Sequence, residues 1–525
     1  MSASQHPPGL LVRAALAGVL LLASFLHLTA LGRAPVYIGW DEARFAVQGY
    51  SIATTGRDLN GHATPLFFHN TDPLILNNSS DIWWQPLLIY LTAGVLRIVP
   101  FTEWSVRLPV AGLAILNVFL IYVAARRLFA NPWYAVLAAL MLALDPAHFL
   151  FGRQESDYFC PQTFALLWLW CLLRSVESES CWLPAATGIV LGVGLYSYIS
   201  SWMVMPFYLA VTGVVLWLSG KPLRDHVALG AAFAVPLLPL VPWFWLHPGM
   251  LRDTFHGYGV ATGLKLAERV ELYWDYFNPS YLFFSGGSDP MWATRRAGVF
   301  LLAAAVLLPC GVWSIWRQGF SIARAVLLVG FFFAPVPIVA ALPEAPRYAT
   351  ARELLVVPFG VLVCVAGVEW LIAKRRLAPA VVAALLVLSV PIQFVSFARD
   401  YFGDYQIRSF FRFDYLNVRD VAAYVVARDA SARIPAVYLS DTLGTGKSVQ
   451  WKFHLVKSRK PDLWARTKYF AVASFNPNDI PSSSLLVVEA NNPRLNDLLG
   501  PDRCSIVQVV RDVADTPAAA ILRRN

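Results

Sequence analysis

Two adjacent carboxylates, Asp41 and Glu42, follow the first long apolar run of the sequence and stand beside Trp40. A carboxylate in such a place can act as a general base that takes the proton of an attacking hydroxyl. Two structural roles compete with this one. Asp41 could cap a helix that starts there, with Glu42 favoured in its first turn by the helix dipole, or either residue could be an ordinary solvated loop acid. The pair alone leaves these interpretations open.

A second acidic group lies in a tight polar turn between two apolar runs. Residues 151–159 contain Arg153, Glu155 and Asp157. An arginine can hold a leaving phosphate and offset its growing negative charge, so we expect a functional role for Arg153. The two acids could instead simply pair with that arginine. The spacing does not separate Glu155 from Asp157 by role.

A third polar turn, residues 343–353, carries Arg347 and Arg352. These arginines are further candidates for a phosphate. The competing role for any arginine at the end of an apolar run is contact with lipid headgroups. We favour that lipid role for Arg295 and Arg296, which end the 247–296 loop.

The composition places these groups in a membrane protein. Of 525 residues, 57% are hydrophobic and only 14% are charged, against about a quarter charged in soluble domains. The net charge of +9 fits basic residues clustered at span ends rather than nucleic-acid binding. The cysteine positions indicate neither an intradomain disulfide in the polar tail nor a zinc site.

Long apolar runs predict about eleven (11–13) membrane spans. The predicted spans are 10–31, 107–127, 132–150, 158–174, 183–200, 203–219, 226–246, 297–316, 322–342, 352–373 and 378–398. The run 86–99 is short, and we interpret it as an interfacial or re-entrant helix. With a cytoplasmic amino terminus, the basic clusters at span ends then face the cytoplasm. All the acid and arginine groups named above fall on the outer face.

The sequence predicts an all-α membrane domain over 1–399, with a large first outer loop at 32–104, and a separate outer α/β domain over 400–525. Buried strands are expected at 434–439, 484–488 and 506–510. Residues 444–448 look like half a phosphate loop, but Asp441 stands where a glycine is required, so we reject nucleotide binding. We expect this tail to shape acceptor choice rather than form the catalytic centre.

Acids and arginines gathered on one membrane face suit the transfer of a sugar from a lipid phosphate. The alternative from another class is a transporter or lipid flippase. Such proteins tend to show internal repeats and charges at mid-depth in the bilayer, and neither is visible in this sequence. A receptor-like scaffold that works through its tail would leave the acidic turns unexplained.

Several motifs together resemble the GT-C superfamily of membrane glycosyltransferases, in particular bacterial members related to the protein O-mannosyltransferases (glycosyltransferase family 39) and the lipid A aminoarabinose transferase. The resemblance covers most of the membrane part through the order and spacing of its motifs. The matching stretches are 40–45 (the acidic motif), 85–90 (often Lys-Pro-Pro-Leu in the family), 106–109 with 125–129, 153–157 (the second acidic loop) and 347–348 (the late Arg-Tyr motif).

The resemblance implies an inverting transfer from a polyprenyl-phosphate sugar, with Asp41 as the base and Glu42 beside it. Some members bind the lipid phosphate through a lysine where this chain has Gln85. Arg153, Arg347 and Arg352 are then the expected substitutes. The residues expected against substrate are Trp40, Trp84 and Tyr348.

Some family members use a divalent metal such as Mg or Mn and others do not, and the sequence does not decide between them. If a metal is present, Asp41 and Asp157 are its expected ligands. The expected partners are a polyprenyl-phosphate-linked sugar, membrane lipids and a cell-envelope glycan, lipid or protein acceptor, without nucleic acid. The expected location is the bacterial cytoplasmic (inner) membrane, with the active site and the tail on the periplasmic side. The sugar and the acceptor stay open.

Overall fold

A computed structural model of the chain divides into two compact units, each built from segments that are distant in sequence. The structure describes residues 9–69, 82–257, 264–317, 321–341, 348–443 and 446–525. The first unit consists of Met1–Thr29, Trp83–Leu88 and Leu108–Phe402. The second unit consists of Ala30–Ile82, Ile89–Arg107 and Gly403–Asn525. The predicted domains 1–399 and 400–525 follow the chain, whereas these units join the tail to parts of the first large loop.

Helices make up most of the described chain before the tail. They are α1 (Leu10–Leu28), α2 (Trp40–Thr55), α3 (Pro86–Leu96), α4 (Glu103–Leu128), α5 (Pro132–Ala143), α6 (Pro146–Phe151), α7 (Cys160–Glu177), α8 (Trp182–Gly194), α9 (Ser201–Leu218), α10 (Leu223–Ala234), α11 (Leu240–Leu246), α12 (Met250–Gly257), α13 (Leu266–Asp275), α14 (Ala304–Arg317), α15 (Ile322–Phe333), α16 (Val336–Ala341), α17 (Val356–Ala373) and α18 (Leu377–Phe402).

Eight helical segments of the described chain are long and apolar enough to cross a bilayer. They are Leu10–Leu28, Glu103–Leu128, Asp157–Glu177, Ser201–Leu218, Leu223–Leu246, Ile322–Ala340, Val356–Ala373 and Leu377–Phe402. Four shorter apolar helices accompany them, namely α3, α5, α8 and α14. Every predicted span overlaps helical structure in the described residues. The prediction of a helical multi-pass membrane protein is therefore confirmed, while the number of crossings stays a prediction.

Helix α3 has 11 residues. At about 1.5 Å per residue it is roughly 17 Å long, well short of the ~30 Å hydrocarbon core of a bilayer. Its length agrees with an interfacial or re-entrant helix, and its placement in the membrane stays a prediction.

Helices α14 and α17 of the first unit pack through glycines. A Cβ atom at Gly311 would lie 1.9 Å from the carbonyl oxygen of Val363, and one at Gly367 would lie 2.2 Å from that of Leu307. Both distances are too short for any side chain. Apolar helices have little hydrophobic drive to associate in lipid, so small residues allow the close backbone contact that holds them together.

The second unit contains a five-stranded mixed sheet. The strands of the tail are β1 (Val437–Ser440), β2 (Thr467–Phe470), β3 (Leu485–Glu489), β4 (Cys504–Arg511) and β5 (Pro517–Arg524), in the order β2-β1-β3-β5-β4. Strand β1 pairs in parallel with β2 and β3, and β5 pairs antiparallel with β3 and β4. The helices of the tail are α19 (Asp404–Asp414), α20 (Val418–Ser431), α21 (Lys447–Lys457) and α22 (Asp462–Ala465). The predicted α/β domain and its three predicted strands are confirmed.

Helix α21 begins at Lys447, inside the stretch that resembles half a phosphate loop. The Lys447 ammonium lies 2.9 Å from Asp414 Oδ1 and donates to Gln450 Oε1 at 3.0 Å. Lys447 therefore forms a buried ion pair with Asp414. This agrees with the prediction of a loop that leads into a helix; Gly444 and Thr445 of that loop lie outside the described residues.

His454 of α21 should make the second unit sensitive to acid. Burial is the largest cause that lowers the pKa of His454 from 6.5 to about 4. The neutral ring is favoured in the fold, so its stabilising contribution is complete above pH 6.5 and is lost as the pH falls toward 4. We expect His454→Gln to flatten this pH dependence in thermal unfolding scans. His62→Gln, which changes an exposed ring, is the matched control, and an equal effect of both changes would contradict the assignment.

Candidate active site

The acidic motif forms the first turn of α2. Gly39 is the N-cap residue, and its backbone N–H donates to Glu42 Oε2 at 2.7 Å. This is the reach-back bond of a capping box, in which the third helical residue satisfies the backbone at the cap. The predicted helix start is therefore correct, but the side chain that makes the capping bond is that of Glu42 and not that of Asp41.

Glu42 is also one half of a buried ion pair. Arg107 Nε donates to its Oε1 at 2.8 Å, and the same arginine's Nη2 donates to Oε2 at 3.0 Å. The Arg107 side chain is fully buried and that of Glu42 is 4% exposed. Both carboxylate oxygens of Glu42 thus accept hydrogen bonds that stabilise the fold around the start of α2. The prediction that Glu42 takes part in catalysis stays a prediction, and this geometry favours a structural role.

The remaining donors of Arg107 bind the backbone that leads into the motif. Its Nη1 donates to the carbonyl oxygens of Leu31 and Pro35, and its Nη2 donates to that of Tyr37, at 2.8–3.0 Å. A buried guanidinium whose bonds converge on one segment fixes that segment tightly. Arg107 therefore sets the path of residues 31–42 ahead of the adjacent acids.

Asp41 is the more exposed of the two acids, with 26% of its side chain accessible. Its Oδ1 lies 3.7 Å from Arg44 Nη1, one turn along the same helix. The Arg44 guanidinium is itself buried and lies 4.8 Å from the ring centre of Trp40. Asp41 is therefore an accessible carboxylate on a rigid helix end, oriented by a cation. A general base must come within hydrogen-bond reach of the proton that it takes, and an accessible carboxylate can do so.

Arg153 lies in the first unit and is fully buried. Its Nη1 donates to the carbonyl oxygens of Leu26 and His27, and its Nη2 donates to that of Thr29, at 2.6–3.0 Å. The rings of Phe149, Tyr401 and Phe402 surround the guanidinium with centres at 5.1–5.6 Å. These contacts tie the end of α1 to the second acidic turn. Phosphate binding by Arg153 stays a prediction, and the geometry favours a structural role.

The two acids of the second turn are buried in the same unit. Glu155 is 0% exposed and Asp157 is 4% exposed, with Asp157 opening the 3-10 turn Asp157–Phe159. Between them and Arg153, the amide of Gln154 donates to the carbonyl oxygen of Met291 at 3.1 Å. The structure keeps Glu155 and Asp157 in one short turn, and their separate roles stay open.

The described part of the third polar turn, residues 348–353, contains the carboxyl of Glu353. The Tyr281 hydroxyl donates to Glu353 Oε1, and its oxygen lies 3.2 Å from the hydroxyl oxygen of Thr350. Glu353 is 1% exposed. The ring of Tyr348 stacks on that of Tyr281 with centres 5.0 Å apart. Tyr348, one of the residues expected against substrate, is thereby held by the Tyr281–Glu353 pair.

Arg352 ends the 3-10 turn Thr350–Arg352, directly before Glu353. Of the three predicted phosphate arginines, it is the partly exposed one among the described residues. Arg347 lies outside the described residues. Phosphate binding by Arg352 and Arg347 stays a prediction.

Gln85 and Trp84 lie directly before α3, in the segment of the first unit that resembles the family's lysine-containing motif. Gln85 is 2% exposed and Trp84 is 9% exposed. The segment is held where the backbone N–H of Leu87 donates to the carbonyl oxygen of Tyr196 at 3.3 Å. A buried, uncharged Gln85 brings no positive charge to a phosphate.

The described residues contain no group of three His, Cys, Asp or Glu side chains that could hold a metal ion. The expected ligands Asp41 and Asp157 belong to different units. Dependence on Mg or Mn stays a prediction.

Sequence reasoning did not identify Arg107 and Arg44 as site residues. Arg107 appears in a matching motif, but nothing in its spacing indicates that it pairs with Glu42, 65 positions earlier. The signal for Arg44 is its position three residues after Asp41, where helical side chains are neighbours.

Comparisons with known proteins agree with this architecture. A family model described as "Dolichyl-phosphate-mannose-protein mannosyltransferase" matches residues 85–245. The chain resembles the crystal structure of ArnT from Cupriavidus metallidurans bound to undecaprenyl phosphate, with 15% sequence identity and a TM-score of 0.62 over 97% of each chain. The apo state of ArnT is 16% identical, with a TM-score of 0.60 over 97% of each chain. No curated protein matches the chain by sequence. The chain therefore has a fold like that of ArnT over nearly its whole length.

Proposed function

We propose that the chain is an integral-membrane glycosyltransferase that moves a sugar from a polyprenyl-phosphate donor to an acceptor hydroxyl at the outer, periplasmic face of the bacterial inner membrane. The observation that carries this proposal is the ArnT-like fold over nearly the whole chain, since ArnT binds undecaprenyl phosphate. The family model over residues 85–245 supports the same class of donor. The accessible carboxylate of Asp41 supplies the base that such a transfer needs.

The reaction is a single displacement. Asp41 takes the proton of the acceptor hydroxyl, whose oxygen attacks the anomeric carbon of the sugar. The bond from that carbon to the phosphate oxygen breaks, and polyprenyl phosphate leaves with the electron pair. Attack from the side opposite the leaving group inverts the anomeric configuration. Arg347 and Arg352 offset the charge that grows on the phosphate.

The test uses purified full-length protein in lipid nanodiscs with a panel of polyprenyl-phosphate sugars and candidate acceptors. We expect one donor to be consumed, with polyprenyl phosphate released and a product of inverted configuration. Consumption of no donor in the panel, together with movement of the lipid between leaflets in proteoliposomes, would favour the flippase alternative and overturn the proposal. Adding and removing Mg²⁺ and Mn²⁺ in the same assay tests the dependence on a metal.

We expect Arg347→Ala and Arg352→Ala each to weaken donor binding, because a charge-assisted bond to the phosphate is lost. Arg347→Lys should restore only part of the affinity, because lysine lacks the planar fork that binds two oxygens. Gln85→Lys should be tolerated or should tighten binding. The measurement is the dissociation constant for polyprenyl phosphate.

Arg317→Ala, at the end of α14, is the control for the loss of one positive charge. Unchanged donor affinity in single and combined alanine variants of Arg347 and Arg352 would contradict the assignment. The phosphate would then be held by a metal, by backbone donors or by Arg153.

A further inference from the structure

Helix α21 of the tail packs on two different sets of residues. Trp451 and Leu455 belong to the main core of the tail, next to the sheet. Val449 and Phe453 belong to a separate cluster, whose other buried members are Ile38, Ala43, Ala46 and Val47 around the acidic motif and Val106 of α4. The two members of each pair are four positions apart and therefore lie on the same face of the helix, so the two pairs mark two faces of α21. The tail thus uses one helix face for its own core and another for α2.

Buried hydrogen bonds join α21 to the residues just before Asp41. Gln450 is fully buried, and its amide nitrogen donates to the carbonyl oxygens of Ile38 and Phe413, both at 2.7 Å. Its amide oxygen accepts from Lys447, whose ammonium pairs with Asp414. Both ends of the Gln450 amide are therefore satisfied in one orientation. The carbonyl of Ile38, three residues before Asp41, is fixed by a tail residue 412 positions later.

The start of α21 touches the residue beside the proposed base. Gly446 has a φ of +98°, and a Cβ atom there would lie 2.9 Å from the Cβ of Trp40. Only glycine fits, because a side chain would be strained by the backbone conformation and would also press on Trp40. Trp40 carries Arg44 over its ring, and Arg44 faces Asp41.

We infer that α21 positions the Asp41 end of α2 for catalysis, with Gly446 and Gln450 as positioning residues. The inference rests on the proposed function, in which Asp41 is the base. The tail's main core does not include the cluster that meets α2, so the tail's own packing does not account for these contacts. Lys457 extends the attachment, because its ammonium lies 2.7 Å from Glu103 at the start of α4. The tail therefore contributes to the rate of transfer itself, beyond any role in acceptor choice.

The test compares Gly446→Ala with Gly61→Ala in full-length protein. Both glycines have positive φ, but a Cβ at Gly61 would meet nothing within 4 Å, so the control carries the backbone strain without the pressure on Trp40. A displaced base should lower kcat by up to about 10²-fold, with an unchanged affinity for polyprenyl phosphate. The pH profile of kcat should also change. The Gly61 variant should keep the wild-type kcat and profile.

If Gly446→Ala does not fold, Gln450→Leu provides a second, independent variant. Its control is Gln508→Leu, which changes an exposed glutamine of β4. Rates are normalised to the folded fraction from size-exclusion chromatography, so a loss of folded protein alone leaves kcat unchanged. Wild-type kcat and pH profile in both positioning variants, with Asp41→Asn inactive, would overturn this inference and leave the proposed function intact. Full turnover in Asp41→Asn would instead remove the base on which both proposals depend.

Discussion

Asp41→Asn is expected to lower the turnover number by about 10²–10⁴-fold, the usual contribution of a general base, while the protein keeps its fold. The carboxamide has nearly the same shape but cannot take the proton of the acceptor hydroxyl. The N-cap of α2 is Gly39 and the capping bond is made by Glu42, so this change leaves the helix start in place. The measurement is the initial rate of polyprenyl phosphate release at saturating donor, together with the thermal unfolding midpoint.

Asp497→Asn is the matched control, because Asp497 is an exposed acid in the first turn of a short helix of the same unit. It should leave both the rate and the midpoint unchanged. Near wild-type turnover in Asp41→Asn would show that Asp41 is an ordinary surface acid. A large drop in the unfolding midpoint with a proportional drop in rate would assign it a structural role instead.

Local pattern predicts the helices of this protein well, because a run of about 20 apolar residues has few alternatives in a bilayer. It predicts the sheet less completely. Strands at 434–439, 484–488 and 506–510 are visible as apolar runs, but these runs predict neither the short strand β2 nor the longer strand β5. Its sequence is rich in alanine, which is uncommon in strands, and its pairing with β3 and β4 is set by tertiary packing.

The grouping of the first large loop with the tail could not be predicted from periodicity. It depends on contacts between residues hundreds of positions apart, such as Gln450 with the Ile38 carbonyl and Lys457 with Glu103. Side chains of this kind have no repeating pattern in the sequence. The contacts become visible only when the fold brings the two segments together.

The candidate site shows a similar limit. The sequence correctly marks the 40–42 stretch as the start of a helix, but adjacent acids look alike in a sequence. Burial separates them, since Glu42 is 4% exposed and Asp41 is 26% exposed. Arg153 stands in an acidic turn as a phosphate ligand would, yet its donors meet the carbonyls of Leu26, His27 and Thr29. Whether an arginine meets a ligand or its own backbone depends on distant residues.

Glu42→Ala and Arg107→Met are each expected to destabilise the second unit by about 3–5 kcal/mol, because each leaves the other member of a buried ion pair without its partner. The arginine change should be the larger of the two, since it also removes the donors to the carbonyls of Leu31, Pro35 and Tyr37. The measurement is denaturant or thermal unfolding in detergent, with amide hydrogen exchange over residues 31–42 to locate the change.

The double variant Glu42→Ala/Arg107→Met tests whether Glu42 and Arg107 stabilise the fold as a pair. Because they share two hydrogen bonds, the combined loss should be clearly smaller than the sum of the single losses. Arg127 and Glu177, which form a more accessible ion pair at 2.8 Å with side chains 22% and 36% exposed, provide the control, and breaking that pair should cost at most about 1 kcal/mol. In the Glu42 variant, activity should fall only with the folded fraction, whereas Asp41→Asn should lose activity in fully folded protein. A stable Glu42→Gln protein without turnover would reverse this division and assign the chemistry to Glu42.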